Sequence, residues 1–300
     1  GLALIPIPFT LFNTYNSGIF LGKNQIILFN RITWIPPLII LICTLVFVLL
    51  FSLDIEGFLI AMIGGPLFIF IILLLKNKFI QAFSLIFDWN IIKQLLTLGL
   101  VYAFALLVVS LNYKLDIILL DYFSIPFETG IYYRGAGFAE YLWQIPMLLS
   151  TIVFARGVVA KNDKHFSLKV TQLLRLSLIA MIIGILFIFF LSESIIINIY
   201  GEEFRGSIQV LNILLPGVFL LTFFKVINMD LAAKGKPWVS LKAMIPALII
   251  NVLLNIIWIP VHGANGAAFA STISYSIAGV LFLYFYSKEV QIPISIILKF

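Results

Sequence analysis

Residues 170–191 read VTQLLRLSLIAMIIGILFIFFL, with a single charge, Arg175, near the start. A run of about 20 apolar residues crosses roughly 30 Å of hydrocarbon as a helix. The run is continuous and does not alternate with period two, so it reads as a helix and not as a barrel strand. Outward from it the same pattern recurs at 2–21, 33–53, 57–75, 94–122, 130–155, 207–232, 238–259 and 263–286, which makes nine spans. Pro6, Pro8, Asn13 and Asn16 interrupt the first. The 300 residues are 62% hydrophobic and 11% charged, against about 25% charged in a soluble domain. Mean hydropathy is +1.15. A water-soluble fold and a disordered chain are excluded. The fold class is an all-α integral membrane protein.

The charges give the orientation. With the start of the chain outside, the inner loops and helix ends carry Lys23, Arg31, Lys76, Lys78, Lys93, Arg156, Lys161, Lys164, Lys169, Arg175, Lys234, Lys236, Lys242, Lys288 and Lys299. That is 15 of the 19 basic residues, as the positive-inside rule requires. The outer loops carry Asp54, Glu56, Glu128, Glu193, Glu202 and Glu203. The net charge of +6 is therefore an orientation signal and not a nucleic-acid patch. One cysteine, Cys43, excludes a disulfide framework, and two distant histidines, His165 and His262, make no metal site. No loop exceeds about 20 residues, whereas an enzyme acting on a large lipid-linked substrate carries its chemistry on a substantial loop or domain. The chain opens on Gly1 and apolar residues with no signal-peptide n-region. It reads as a piece whose beginning lies upstream, and on its own it is expected to be inactive.

Two stretches echo each other. Gly22-Lys23 leads into span two as Gly235-Lys236 leads into span eight, and Gly57-x3-Ala61 opens span three as Gly266-x3-Ala270 opens span nine. The offset is about 210 residues and an even number of spans, the signature of a parallel repeat of six-helix units. The division that follows has four parts. Residues 1–75 are the C-terminal half of a first lobe, 76–93 a cytoplasmic linker, 94–286 a complete second lobe and 287–300 a cytoplasmic tail.

A resemblance now appears. Gly130-Ile131-Tyr132 with Ala139-Glu140-Tyr141-Leu142-Trp143, and Tyr200-Gly201 with Phe204, resemble the polysaccharide-unit flippases of the MOP (multidrug/oligosaccharidyl-lipid/polysaccharide) exporter superfamily. So do Leu215-Pro216-Gly217, Lys225-Val226, the run Leu231 to Pro237, Asn251, Asn255, Ile259-Pro260, Gly266-Ala267-Ala268 and Ser271 to Tyr275. The ordered set carries the resemblance, which covers nearly the whole chain and is most specific in its last 90 residues. It implies a twelve- or fourteen-helix transporter of two lobes around a central cavity. Of a twelve-helix form, this chain would hold about nine helices. The implied activity moves undecaprenyl-diphosphate-linked oligosaccharide units, for O-antigen lipopolysaccharide, capsule or exopolysaccharide, across the bacterial cytoplasmic membrane. The implied partners are the lipid-linked oligosaccharide, membrane lipids and the polymerase and chain-length machinery, with no nucleic acid. Arg134 stands where the family usually has a small apolar residue, so the resemblance assigns it no role.

Ionisable groups at membrane depth cost at least about 2.5–3.5 kcal/mol each and need a cavity or a partner. A diphosphate head leaving water needs cations, and Lys114, Lys225 and Arg134 are the candidate lumen cations. Lys225 also suits snorkelling to the inner interface, and Arg134 suits pairing with Glu128 or Asp116. Glu140 shares a polar stripe with Tyr133, Gly137 and Gln144; it fits either a coupling proton or an interhelix hydrogen bond. Asn112 and Asp116 share a face at i, i+4 and are candidate lumen groups, as Gln144 is, and Asp116 is the alternative to Glu140 for ion coupling. Asn251 and Asn255 repeat that spacing and suit hydrogen bonding between helices. Asp230 reads as an interface residue. Tryptophans and phenylalanines are assigned to lipid and interface contact. No cofactor is expected beyond a coupling ion, H+ or Na+. The rivals are a drug or cation exporter of the same superfamily and a membrane glycan polymerase or ligase. The first should have an acidic, aromatic cavity and the second a large outer loop.

Overall fold

A computed structural model describes residues 4–23, 25–76, 87–160 and 162–299. They form helices and no strands. All nine apolar stretches are helical. Six helices are long and apolar enough to cross a membrane, or seven when one bent pair is taken as a single span. The chain is a multi-pass membrane protein. Contacts divide it into two units, Gly1–Trp89 and Asn90–Phe300.

The first unit holds α1 (Pro6–Gly22), α2 (Ile26–Thr44, continued by a π-helical stretch Leu45–Leu50) and α3 (Asp54–Lys76). The polar residues that interrupt span one do not break it. Asn13 is buried and its amide donates to the Pro66 carbonyl on α3 at 2.9 Å, a bond between helices that has no water to compete with it. Phe9 and Phe12 pack edge-on against Phe70. Residues 77–86 of the expected linker, with Lys78, lie outside the described residues, as do Asn24 and Lys161.

The second unit holds α4 (Trp89–Phe123), α5 (Pro126–Tyr141), α6 (Gln144–Val158), α7 (Asp163–Tyr200), α8 (Gly206–Ala233), α9 (Trp238–Val290) and the short α10 (Ile294–Ile297). α4 begins inside the range read as linker. Asn162 caps α7 by accepting from the His165 N–H at 2.9 Å. Gly201, at φ 92, ends it in a conformation that costs a side-chain-bearing residue strain. Span five, read as one continuous helix, is two helices bent by 50° at Leu142-Trp143. The reason is Pro146, which has no N–H for the Leu142 carbonyl and whose ring crowds it.

α9 is a hairpin. Gly263, at φ 53 and ψ −131, breaks it into two limbs. Trp258 meets Phe269 edge-on, and the Ser274 hydroxyl donates to the Ala247 carbonyl at 2.9 Å. Glu128 of α5 accepts from the Ala264 N–H at 2.8 Å, capping the second limb. The echo noticed in the sequence has a structural counterpart in each unit. Ser52 in the α2–α3 turn also sits at φ 53. Gly57 and Gly266 each lie where a side chain would strike the end of the preceding helix or limb, at Phe47 and at Trp258.

α8 is the buried centre of this unit, packed by α5, α6, α7 and α9. At Gly217 a Cβ would lie 2.7 Å from the Thr272 Cα, which is backbone and cannot yield. Gly217→Val is therefore expected to destabilise the protein by about 1–3 kcal/mol through overpacking. The check is the melting midpoint of the purified protein against Gly99→Ala, a site with nothing within 4 Å. Equal midpoints would refute the close crossing. The tail is packed down: Ile292 and Ile297 are buried, and Arg175 donates to the Ile296 carbonyl at 3.0 Å.

Candidate functional site

Within little more than one turn, three faces of α4 carry chemistry. Asn112 and Asp116 share one face, as their spacing predicts, and both are buried against α9. Asp116 gathers four donors from three other helical segments. Its Oδ1 accepts from the Asn251 amide at 2.9 Å and the Asn255 amide at 2.6 Å, both on the first limb of α9. Its Oδ2 accepts from the Tyr132 hydroxyl of α5 at 2.8 Å and the Ser271 hydroxyl of the second limb at 2.5 Å. Asn112 donates to Ser274 at 3.2 Å. No cation lies within ion-pair distance of Asp116 among the described residues. A buried carboxylate is held here by neutral donors alone, an arrangement affordable only when every donor is aimed at it. The Asn255 side-chain oxygen is buried with no hydrogen-bond partner among the described residues.

One residue around the helix, Tyr113 meets Trp143 and Tyr275, with ring centroids 5.5 and 5.7 Å from its own. Trp143 is buried, and its indole N–H donates to the Val218 carbonyl at 3.0 Å. It is not the lipid-interface anchor the sequence reading made of the tryptophans. The Lys225 ammonium lies 4.2 Å from the Tyr113 ring centre and 4.4 Å from that of Trp143. It has turned into the helix bundle and does not snorkel to the inner interface.

One residue further, Lys114 enters a cavity of about 240 Å³ whose lining includes Arg134, Glu140, Gln144 and Tyr200. The polar stripe Tyr133, Gly137, Glu140, Gln144 is one wall of it. Lys114 and Glu140 stand 3.8 Å apart with side chains 56% and 41% exposed. So long and open a pair adds little stability, which leaves the ammonium free to take another anion. Arg134 pairs with neither Glu128 nor Asp116. Glu128 caps α9 and Asp116 is saturated, and the guanidinium lies 4.6 Å over the Tyr200 ring. Lys114, Arg134, Glu140 and Gln144 are thus brought together, whereas Lys225 and the Asp116–Asn112 pair lie apart from that cavity.

No family model matches the chain. Solved structures match its fold almost from end to end. A Vibrio cholerae MATE transporter, VcmN, superposes with TM-score 0.78 at 19% identity over 97% of this chain and 68% of that one. Lipid II flippase MurJ, in an inward closed conformation, does so with TM-score 0.65 at 17% identity over 99% and 74%. The likeness is one of fold: the chain has the helical membrane-transporter fold of these two proteins. Among curated proteins, the "Probable low-salt glycan biosynthesis flippase Agl15" of Haloferax volcanii is 24% identical over 190 residues, 59% of this chain. The alignment spans 38% of that protein's length, so the chain matches well under half of it.

A second buried carboxylate, Asp230, belongs to a different part of the unit. It takes the Lys234 ammonium at 2.9 Å, the Ser167 hydroxyl at 2.6 Å and the Tyr286 hydroxyl at 2.7 Å. This joins α7, α8 and α9. Its partner is Lys234, four residues on, while Lys225, five residues back, does not pair with it. Tyr132 and Ser271 were missed as partners of Asp116. Nothing local marks them, since they stand 16 and 155 residues away in the chain.

Proposed function

We propose that the protein is part of a flippase that carries a lipid-diphosphate-linked oligosaccharide across a membrane by alternating access. The cavity shared by Lys114 and Arg134 carries this reading. Two cations at membrane depth are costly unless they meet an anion, and the loose pairing of Lys114 with Glu140 leaves room for one. The diphosphate would replace its hydration with charge-assisted bonds to the two side chains, Gln144 and the tyrosines would meet the sugar, and the prenyl tail would stay in lipid. The Agl15 relative, described as a glycan biosynthesis flippase, supports this class. An undecaprenyl carrier, an O-antigen, capsule or exopolysaccharide unit, and a bacterial cytoplasmic membrane complete the proposal, with polymerase and chain-length proteins as partners downstream. No covalent step is needed.

Asp116 is the residue we assign to a coupling ion, H+ or Na+. It is fully buried with no cation within ion-pair distance among the described residues, so an incoming ion would take the place of one or more of its neutral donors.

The test uses the full-length gene. Its deletion should trap the lipid-linked oligosaccharide on the cytoplasmic leaflet. Wild type should reverse this, and Lys114→Gln with Arg134→Gln should transport on the order of a hundredfold more slowly, from about 1.5 kcal/mol per lost charge-assisted bond. Normal translocation, with unpolymerised units collecting on the outer face, would point to a polymerase or ligase instead.

A further inference from the structure

Lys225, like Arg134, is a lumen candidate with no ion-pair partner among the described residues. Its nearest polar recognition is the pair of ring faces of Tyr113 and Trp143, tilted 40° to each other and open like a V. Tyr275 closes the back of that V, 5.6 and 5.7 Å from the two rings. The V is rigid. Trp143 is pinned through its indole N–H to Val218 and sits at the α5–α6 break. The Tyr113 hydroxyl is buried without a hydrogen-bond partner among the described residues, so that side chain is placed for its ring and not for its hydroxyl. Glu140 lines a space of about 10 Å³ with Tyr113, Trp143 and Tyr275, barely enough for one water. Aromatic faces beside a carboxylate are the chemistry that selects ammonium ions.

We propose that Lys225 is a tethered occupant of an aromatic ammonium site formed by Tyr113 and Trp143, and that by filling it this side chain keeps organic cations out of the second unit. Lys225 is then a specificity-determining residue. With it, the rings are spent on the chain's own cation. Without it, the same rings and Glu140 make a site for a primary alkylammonium ion. The inference concerns the ring site alone and holds whatever glycolipid is carried.

Truncation of Lys225 to alanine removes a group the size of propylammonium, which is the probe. Purified full-length protein in lipid nanodiscs is titrated with propylammonium chloride against equal potassium chloride, following tryptophan fluorescence. Lys225→Ala should show a saturable change with half-saturation at least about tenfold below any in wild type. Lys225→Met refills the V without a charge and should behave as wild type. Adding Tyr113→Leu to Lys225→Ala, which keeps the Trp143 reporter, should remove the signal. Should Lys225→Ala be too unstable to titrate, a rise of its melting midpoint in propylammonium over potassium reports the same binding. The proposal is overturned if folded Lys225→Ala binds no better than wild type, if Lys225→Met binds as well as Lys225→Ala, or if the signal survives loss of the Tyr113 ring. No glycolipid enters the measurement, so its failure and that of the flippase reading are told apart.

Discussion

Asp116→Ala is expected to lower the stability of the protein by about 2–4 kcal/mol and to end coupled transport. The carboxylate is the common acceptor for Tyr132, Ser271, Asn251 and Asn255. Each buried donor left without an acceptor costs about 1–3 kcal/mol. The four losses do not simply add. Tyr132 and Ser271 stand 3.1 Å apart and can bond each other, and the Asn255 amide already reaches the Asn251 oxygen at 3.1 Å. Two of the four donors therefore keep a partner, and the expected loss is nearer that of two orphans. Asp116→Asn keeps the shape and one acceptor oxygen but turns an NH2 toward other donors, so it should fall between wild type and alanine. Melting midpoints of the three proteins in one detergent check the order. Wild-type-like stability of the alanine variant would mean that the donors do not depend on Asp116. The transport arm is separate. A folded Asp116→Asn that moves glycolipid at the wild-type rate with no ion gradient dependence lost would remove Asp116 from coupling.

What the sequence revealed follows from where the membrane constrains it. In lipid every backbone group must bond within its own segment, so helices announce themselves as apolar runs, and all nine runs are helical. The break at Leu142-Trp143 escaped notice because the surrounding residues, Ile145 to Leu149 apart from Pro146, continue the apolar run. Hydropathy does not register a missing N–H. The site was legible to the extent that it is local. Asn112 with Asp116, Asn251 with Asn255, and the Tyr133–Gln144 stripe are all one-face patterns, and the structure places each set together. The convergence of those faces was not legible. Tyr132 reaches Asp116 because α5 packs beside α4, and Ser271 because the Gly263 turn folds α9 back on itself. Lys225 shows the same limit. Its position on α8 suggested a lumen or an interface, and only the bend that sets Trp143 against Tyr113 supplies the third destination, a pair of ring faces.

A second large loss is expected from Asp230→Ala, about 3 kcal/mol or more, with a milder effect from Lys234→Met. Asp230 is fully buried and Lys234 is 10% exposed, so solvent screens the pair weakly. Removing one member of such a pair strands the other charge, at about 3–5 kcal/mol. The two sides are unequal. If Asp230 goes, the ammonium keeps only the Asp163 carbonyl at 3.2 Å and the Ser167 hydroxyl, while Tyr286 loses its acceptor. If Lys234 goes, the carboxylate still accepts from Ser167 and Tyr286. The double variant Asp230→Ala, Lys234→Met should therefore be more stable than Asp230→Ala alone, because it removes the stranded charge along with its partner. A four-protein cycle of melting midpoints measures this directly. A double variant no more stable than Asp230→Ala would mean that Lys234 escapes to water when released, and that the cluster holds α7, α8 and α9 together through the hydroxyls of Ser167 and Tyr286 and not through the ion pair.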